Sequence, residues 1–188
     1  MQKLILCLLL ALPPAASVLA QNGAAEDQSR WRPINERVTR LMLTDTSFIK
    51  KAAAINLAEI EFSKLALKQS GSADIRAFAE RMVRAHAAAA EELKLIAAAE
   101  NIEVSAELDG AHQRAIEKLA ALGGTELDNE FSKQMQEGHD RAVMLFSVAA
   151  EDESINPKLQ QFAIKMLPIL RGHQQAAHGL AGRHAAEQ

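Results

Sequence analysis

The chain has a single cysteine, Cys7, which lies within the first twenty residues. Those residues predict a secretory signal peptide, because Lys3 precedes a short apolar run, two prolines follow it and Ala20 ends a small-residue cleavage site. Cleavage after Ala20 removes the only thiol, which excludes disulfides, thiolate metal ligands and cysteine nucleophiles from the mature chain. Lipidation is not expected, because Leu6 stands where a lipoprotein signal needs a small residue.

The sequence also lacks a long apolar run and an excess of positive charge. The N-terminal apolar stretch, residues 4–12, is much shorter than the roughly 20 residues of a membrane span, so no transmembrane segment is expected after signal cleavage. Lys and Arg number 21 against 24 Asp and Glu, a formal net charge of -3, and the basic residues are scattered among acidic ones. No nucleic-acid partner is therefore expected. The predicted location is periplasmic or secreted.

Motifs for common enzyme chemistry are absent as well. The sequence contains no Gly-rich phosphate loop and no defensible Ser-His-Asp arrangement, so no catalytic residue and no organic cofactor are predicted. The strand-like alternation of apolar and polar residues is missing too. From Thr46 onward, apolar residues recur every three or four positions, which is typical of amphipathic helices. The predicted fold class is all-α, an antiparallel four-helix bundle with a short extra helix in the connection between helices two and three.

The chain divides into four predicted segments. Residues 1–20 form the signal peptide, 21–44 a linker with a short helix, 45–181 the bundle and 182–188 a flexible tail. Start and stop signals bound the helices, among them Ser72 or Asp74 at the second helix and the Asn156-Pro157 pair at the fourth. The main helices are predicted at about 46–69, 73–99, 126–150 and 157–180, with the connecting helix at about 108–122 and Thr125 capping the third main helix.

Each main helix carries one ionisable residue in the middle of its apolar stripe: Glu59, His86, His139 and His173. Burial of such groups without partners is costly, so they are expected to meet one another, water or an ion. With a rise of about 1.5 Å per residue, their heights in the bundle differ by about 5 to 7 Å, within reach of convergence. Imidazole and carboxylate ligands suit Zn, Fe, Cu, Mn or Ni. The four residues are therefore candidate ligands of a transition metal.

A second interpretation of the same four residues stays open. A buried Glu–His hydrogen-bond network with ordered water would give the same pattern. The protein would then be a non-enzymatic envelope or stress-related interaction protein whose core polar residues are structural. The sequence does not choose between a homo-oligomer and an envelope protein as its partner.

An oxidase with two metal ions is disfavoured. Such bundles use Glu-x-x-His on two helices, whereas Val83, Gln136 and Leu170 stand three residues before the histidines. The remaining histidines are weaker candidates. His112 on the connecting helix is expected to pack against the bundle rather than to add a ligand, and His178 is expected to face solvent, as is His184.

Four segments carry a resemblance to a known family: Leu57–Glu61, Phe78–His86, His139–Val143 and Leu167–His173. Taken together and in this order, over about 46–180, they resemble the exported bacterial family called domain of unknown function 4142. The resemblance implies a ferritin-like four-helix bundle, exported from the cytoplasm, and carries over no activity. Relatives commonly have an acidic residue immediately before the histidines of helices two and three. This chain has Ala85 and Gly138 there, so no support from such acids is expected.

Overall fold

The computed structural model describes residues 43–186, with side chains described as far as Leu180. This part of the chain contains five helices and no strand, which confirms the all-α prediction. The predicted signal peptide lies outside the described residues, as does the linker up to residue 42. The helices are α1 (Asp45–Gln69), α2 (Ala73–Ala99), α3 (Gly110–Ala120), α4 (Gly124–Glu151) and α5 (Pro157–Ala186).

Side-chain caps determine where most of these helices begin. Thr44 and Ser47 form a reciprocal capping box at α1, and the Ser72 hydroxyl accepts a hydrogen bond from Ile75 N–H at α2. The Asp109 carboxylate accepts from two backbone N–H groups at the start of α3. At α5, the Asn156 side chain accepts from Lys158 N–H at 2.9 Å. Each cap satisfies N–H groups that have no partner inside the helix.

Two helix ends differ from the prediction. Helix α4 begins at Gly124, and its N-cap is Gly123 with no side-chain cap bond, so the prediction that Thr125 caps it is wrong. Gly124 has a φ of 56°, a conformation that glycine adopts readily, and this lets the chain enter the helix one residue earlier. The last helix continues to Ala186, beyond the predicted end of the bundle at 181. The extra residues include Ala and Arg, which are good helix formers.

The four long helices form an antiparallel bundle. Helix α1 packs against α2 and α4, and α5 packs against α4 and α2, so the order around the bundle is α1, α2, α5, α4. The connection from α2 to α4 runs the length of the bundle, and α3 lies within it against α1 and α4. One long crossover of this kind is typical of ferritin-like bundles. Within the described residues, no helix combines the length and the hydropathy that a membrane span requires.

The bundle core consists of two apolar halves with polar residues between them. In one half, Phe48 meets Phe146 edge to face, with ring centroids 5.2 Å apart. In the other half, Phe78 meets Phe131 in the same way at 6.2 Å. Each long helix contributes to both halves and changes from one to the other in its middle. The buried or half-buried polar residues at these crossing points are Asn56, Glu59, Ser63, His86, His139 and His173.

Candidate metal centre

Three of the four predicted site residues come together in the polar layer. His86 from α2, His139 from α4 and His173 from α5 have ring centroids 5.5, 5.6 and 5.5 Å apart, nearly an equilateral triangle. One ring nitrogen of each lies within 4.8 Å of those of the other two. The bundle produces this meeting because each histidine stands where its helix passes from one apolar half of the core to the other.

Hydrogen bonds at the rear of two rings determine which nitrogen faces the centre. His139 Nδ1 donates to the carbonyl oxygen of Met135 at 2.8 Å. His86 Nδ1 donates to Asn56 Oδ1, from α1, at 3.0 Å. A neutral imidazole that donates from Nδ1 carries a lone pair on Nε2. Among the described residues, three buried ring nitrogens have no hydrogen-bond partner: His86 Nε2, His139 Nε2 and His173 Nδ1.

Burial keeps the three imidazoles neutral. It lowers the pKa of His86 to about 3, and the nearby His139 and His173 add to the effect. Burial likewise lowers the pKa of His173 to about 4, with help from His139 and from the Arg81 guanidinium. The pKa of His139 is also lowered by burial, although its bond to the Met135 carbonyl opposes the shift. At neutral pH all three rings can therefore offer lone pairs without first losing a proton.

The fourth predicted residue, Glu59, lies behind His139. Its Oε1 is 3.7 Å from His139 Nδ1, on the edge of the ring that bonds to the Met135 carbonyl, and it is outside the group of three nitrogens. Burial raises the pKa of Glu59 to about 8, against the opposing effect of Arg141. Both shifts favour the neutral form of the group concerned, which weakens any ion pair between Glu59 and His139. Glu59 Oε2 is buried without a partner among the described residues.

The weaker candidates lie elsewhere. His112 Nδ1 is 2.7 Å from Asp109 Oδ2, within the cap of α3. The same His112 lines a cavity of about 20 Å³ that also reaches Glu59. His178 is exposed, and its Nε2 is 3.1 Å from Asp140 Oδ1. The side chain of His184 lies outside the described part of the chain.

Sequence reasoning missed Asn56, which orients His86. Asn56 follows the apolar Ile55 in α1 but is the more deeply buried of the two, with 4% of its surface exposed. A signal was present, because Asn56, Glu59 and Ser63 are spaced by three and four residues and so share one face of the helix. That spacing marks the face of α1 that contacts His86 and His139.

The family profile described as "Domain of unknown function (DUF4142)" matches residues 34–180 of the chain. This range contains every helix of the bundle except the end of α5, together with all four predicted site residues. No curated protein sequence is significantly similar to the chain.

Three solved structures share the fold. A DUF305 fragment from Deinococcus radiodurans is 14% identical, with a TM-score of 0.65, over 74% of this chain and 95% of its own. A DUF305 protein from Streptomyces coelicolor is 15% identical, with a TM-score of 0.65, over 75% of this chain and 92% of its own. CopM in the Cu(II)-bound form is 20% identical, with a TM-score of 0.62, over 75% of this chain and 97% of its own. At these identities the likeness shows the fold alone.

Proposed function

The chain belongs to the family described as domain of unknown function 4142, and we propose that it binds a transition-metal ion in the core of its bundle. The ligands are His86 Nε2, His139 Nε2 and His173 Nδ1. One observation carries the proposal: these three buried nitrogens have no hydrogen-bond partner among the described residues, and one nitrogen of each ring lies within 4.8 Å of the others.

A metal ion accounts for this arrangement better than a structural polar network does. In such a network every buried acceptor faces a donor, and an acceptor left without one costs about 1–3 kcal/mol. At least two of the nitrogens here are acceptors, because the other nitrogens of those rings donate to Asn56 and to Met135. One cation would satisfy all three lone pairs at once. Because nitrogen ligands lie about 2.0–2.1 Å from Zn²⁺, binding requires the rings to turn inward.

The donor set narrows the choice of metal. Neutral imidazoles suit Zn, Cu, Fe and Ni, whereas harder ions such as Mn favour oxygen ligands. Three protein ligands leave a position open for water or another ligand, unlike closed structural sites with four. CopM, one of the similar structures, has been solved in a Cu(II)-bound form, which makes Cu(II) a natural first probe beside Zn(II). Fe and Mn complete the set to be tested, and no catalysis is proposed.

Export belongs to the same proposal. The signal-peptide features of residues 1–20 direct the chain to the periplasm or the exterior, and their removal takes away Cys7, the only thiol. The mature chain would then offer nitrogen and oxygen ligands alone in an oxidising compartment where thiolates do not persist.

Metal analysis of the mature, untagged protein purified from periplasm tests this function. We expect one ion per chain, or uptake of one ion on titration of metal-free protein with Zn(II), Cu(II), Fe(II) or Mn(II). His173→Ala should weaken binding by more than the roughly 10–100-fold that follows loss of a ligand's supporting partner. The matched control is His178→Ala on the same helix, where the histidine is exposed, and it should bind as wild type does. Failure of the wild-type protein to bind any of the four ions would refute the proposal.

A further inference from the structure

The residue before His139 is a glycine in the interior of α4. Gly138 is buried, and glycine is unfavourable in a helix interior relative to alanine, so its presence calls for a local cause. A Cβ placed on Gly138 would collide with Oε1 of the Glu59 carboxylate, which reaches across from α1. The carboxylate thus occupies the space that any other residue at position 138 would fill.

The last helix offers a matched position. Gly172 stands immediately before His173, as Gly138 stands before His139, but a Cβ on Gly172 would meet no atom within 4 Å. The steric demand is therefore specific to Gly138 and comes from Glu59, not from a general need for glycine beside a site histidine.

Because Gly138 has no side chain, the Glu59 carboxylate lies beside the Nδ1 edge of the candidate ligand His139. Glu59 Oε1 is 3.7 Å from His139 Nδ1, whereas the nitrogen of that ring without a partner is Nε2. Because His139 Nδ1 already donates to the Met135 carbonyl, Glu59 Oε1 contacts this edge of the ring without a hydrogen bond, and groups packed behind a ligand histidine hold the ring in its orientation. On its other side, Glu59 borders the cavity of about 20 Å³ lined by Gln134 and Arg141. A volume of this size holds about one water molecule.

We propose that Gly138 is a positioning residue of the metal centre. Because it has no side chain, it admits the Glu59 carboxylate to the Nδ1 edge of His139, and Glu59 acts on the bound ion through His139 rather than as a ligand. This inference rests on the proposed function, since it concerns the same ion, and it gives Glu59 a role different from that of the three histidines.

Four variants of the mature protein test the role of Gly138: Gly138→Ala, Glu59→Ala, the double variant and Gly172→Ala as the matched control. With Zn(II) as titrant, G138A and E59A should each weaken binding by about 10–100-fold. The double variant should bind no more weakly than E59A, because Glu59 is the only route by which position 138 acts. G172A should bind as wild type does. A double variant clearly weaker than E59A, or G138A binding as tightly as G172A, would overturn the inference.

Thermal unfolding of the metal-free variants tests the steric fit by itself. G138A should melt below G172A, which gains the same helix propensity without a clash, and the double variant should recover part of that difference, because alanine at position 59 vacates the space. If G138A alone does not fold, the comparison of the double variant with E59A still reports whether position 138 acts only through Glu59. A double variant that melts below G138A would contradict the fit between the two residues.

Co(II) in place of Zn(II) distinguishes support from ligation. The visible absorption bands of bound Co(II) depend on the number and geometry of its ligands. They should keep the same pattern in wild type and E59A if Glu59 acts through His139, and a change in coordination number in E59A would overturn that assignment. If the wild-type protein binds no metal, the proposed function fails and the positioning role fails with it. If wild type binds metal and G138A binds as tightly, only the positioning role fails.

Discussion

At the scale of single residues, the hydrogen-bond partners of His86 and His139 determine which nitrogen of each ring can bind an ion. His139 is held by a carbonyl of its own helix, and His86 by an amide oxygen from α1. Both bonds use Nδ1 as the donor and leave Nε2 with a lone pair. The groups behind the rings therefore determine that His86 and His139 present acceptors to the centre. Asn56 is the side chain that orients His86 in this way, without being one of the three candidate ligands.

Asn56→Ala should therefore weaken metal binding without removing a ligand. Without its partner, the His86 ring can carry its hydrogen on Nε2, which then presents a donor to the ion. We expect a loss of affinity of about 10–100-fold, measured by competition with a chelator of known strength. Asn56→Asp should restore most of it, because a carboxylate oxygen also accepts from Nδ1. The control is Gln69→Ala, an exposed side chain on the same helix, and N56A binding as tightly as this control would contradict the role.

The identity of the three histidines was accessible to prediction from the sequence, whereas their partners were not. A histidine within an apolar stripe is visible because the stripe has a 3.6-residue period. The partner of a given nitrogen depends on how neighbouring helices are rotated about their axes, which one chain's periodicity does not determine. For the same reason, Glu59 shares the level of the histidines but lies behind His139.

For the helices, local sequence signals explain most boundaries. Ser72, Asp109 and Asn156 cap the helices they precede, and two of these starts were predicted from the sequence alone. The start of α4 was not, because a glycine with positive φ leaves no side-chain signal. From the sequence, Thr125 beside the Gly123-Gly124 pair is expected to be the N-cap. In the structure the helix has already begun at Gly124.

Gly124→Ala should destabilise the protein by about 1 kcal/mol, because the left-handed conformation at this position is unfavourable for any residue with a Cβ. Gly71 is the matched control: it is also exposed and also has no atom within 4 Å of a Cβ, but its φ is not in the left-handed range. Gly71→Ala should be neutral or stabilise by about 0.4–1 kcal/mol through the unfolded chain. Chemical denaturation measures both, and equal effects of the two substitutions would contradict the argument.

For the whole molecule, the bundle places Glu59 and the three histidines in one layer between two apolar halves. Sequence alone predicts the common level, because helix rise and turn positions fix height along the bundle. It also predicts the fold class, since four long amphipathic helices with short hairpin turns and one long connection have few other ways to pack. The ionisable groups of this layer make the stability of the metal-free protein depend on pH, and the histidines and Glu59 act in opposite directions.

The histidines favour the folded state at higher pH. Folding lowers the pKa of His86 from 6.5 to about 3 and that of His173 from 6.5 to about 4. Between these values the unfolded chain binds more protons than the folded one, so stability is lost as pH falls below about 6.5. Glu59 acts in the opposite sense. Its pKa rises from 4.5 to about 8 on folding, so the stability it contributes is present below pH 4.5 and lost as pH rises toward 8.

The two effects oppose each other from about pH 4.5 to 6.5, where the histidines together should outweigh the single carboxyl group. Above pH 6.5 only Glu59 still changes its charge within this layer, so the free energy of unfolding of the metal-free protein should pass through a maximum near pH 6.5 and then fall.

Glu59→Gln keeps the shape of the side chain but cannot ionise, so this variant should lose the decline between pH 6.5 and 8. Urea denaturation in the presence of a chelator, at intervals from pH 4.5 to 8.5, measures the profile. Glu61→Gln, on the same helix but only partly buried, should decline as wild type does. An unchanged decline in E59Q would show that its carboxyl group is not the source.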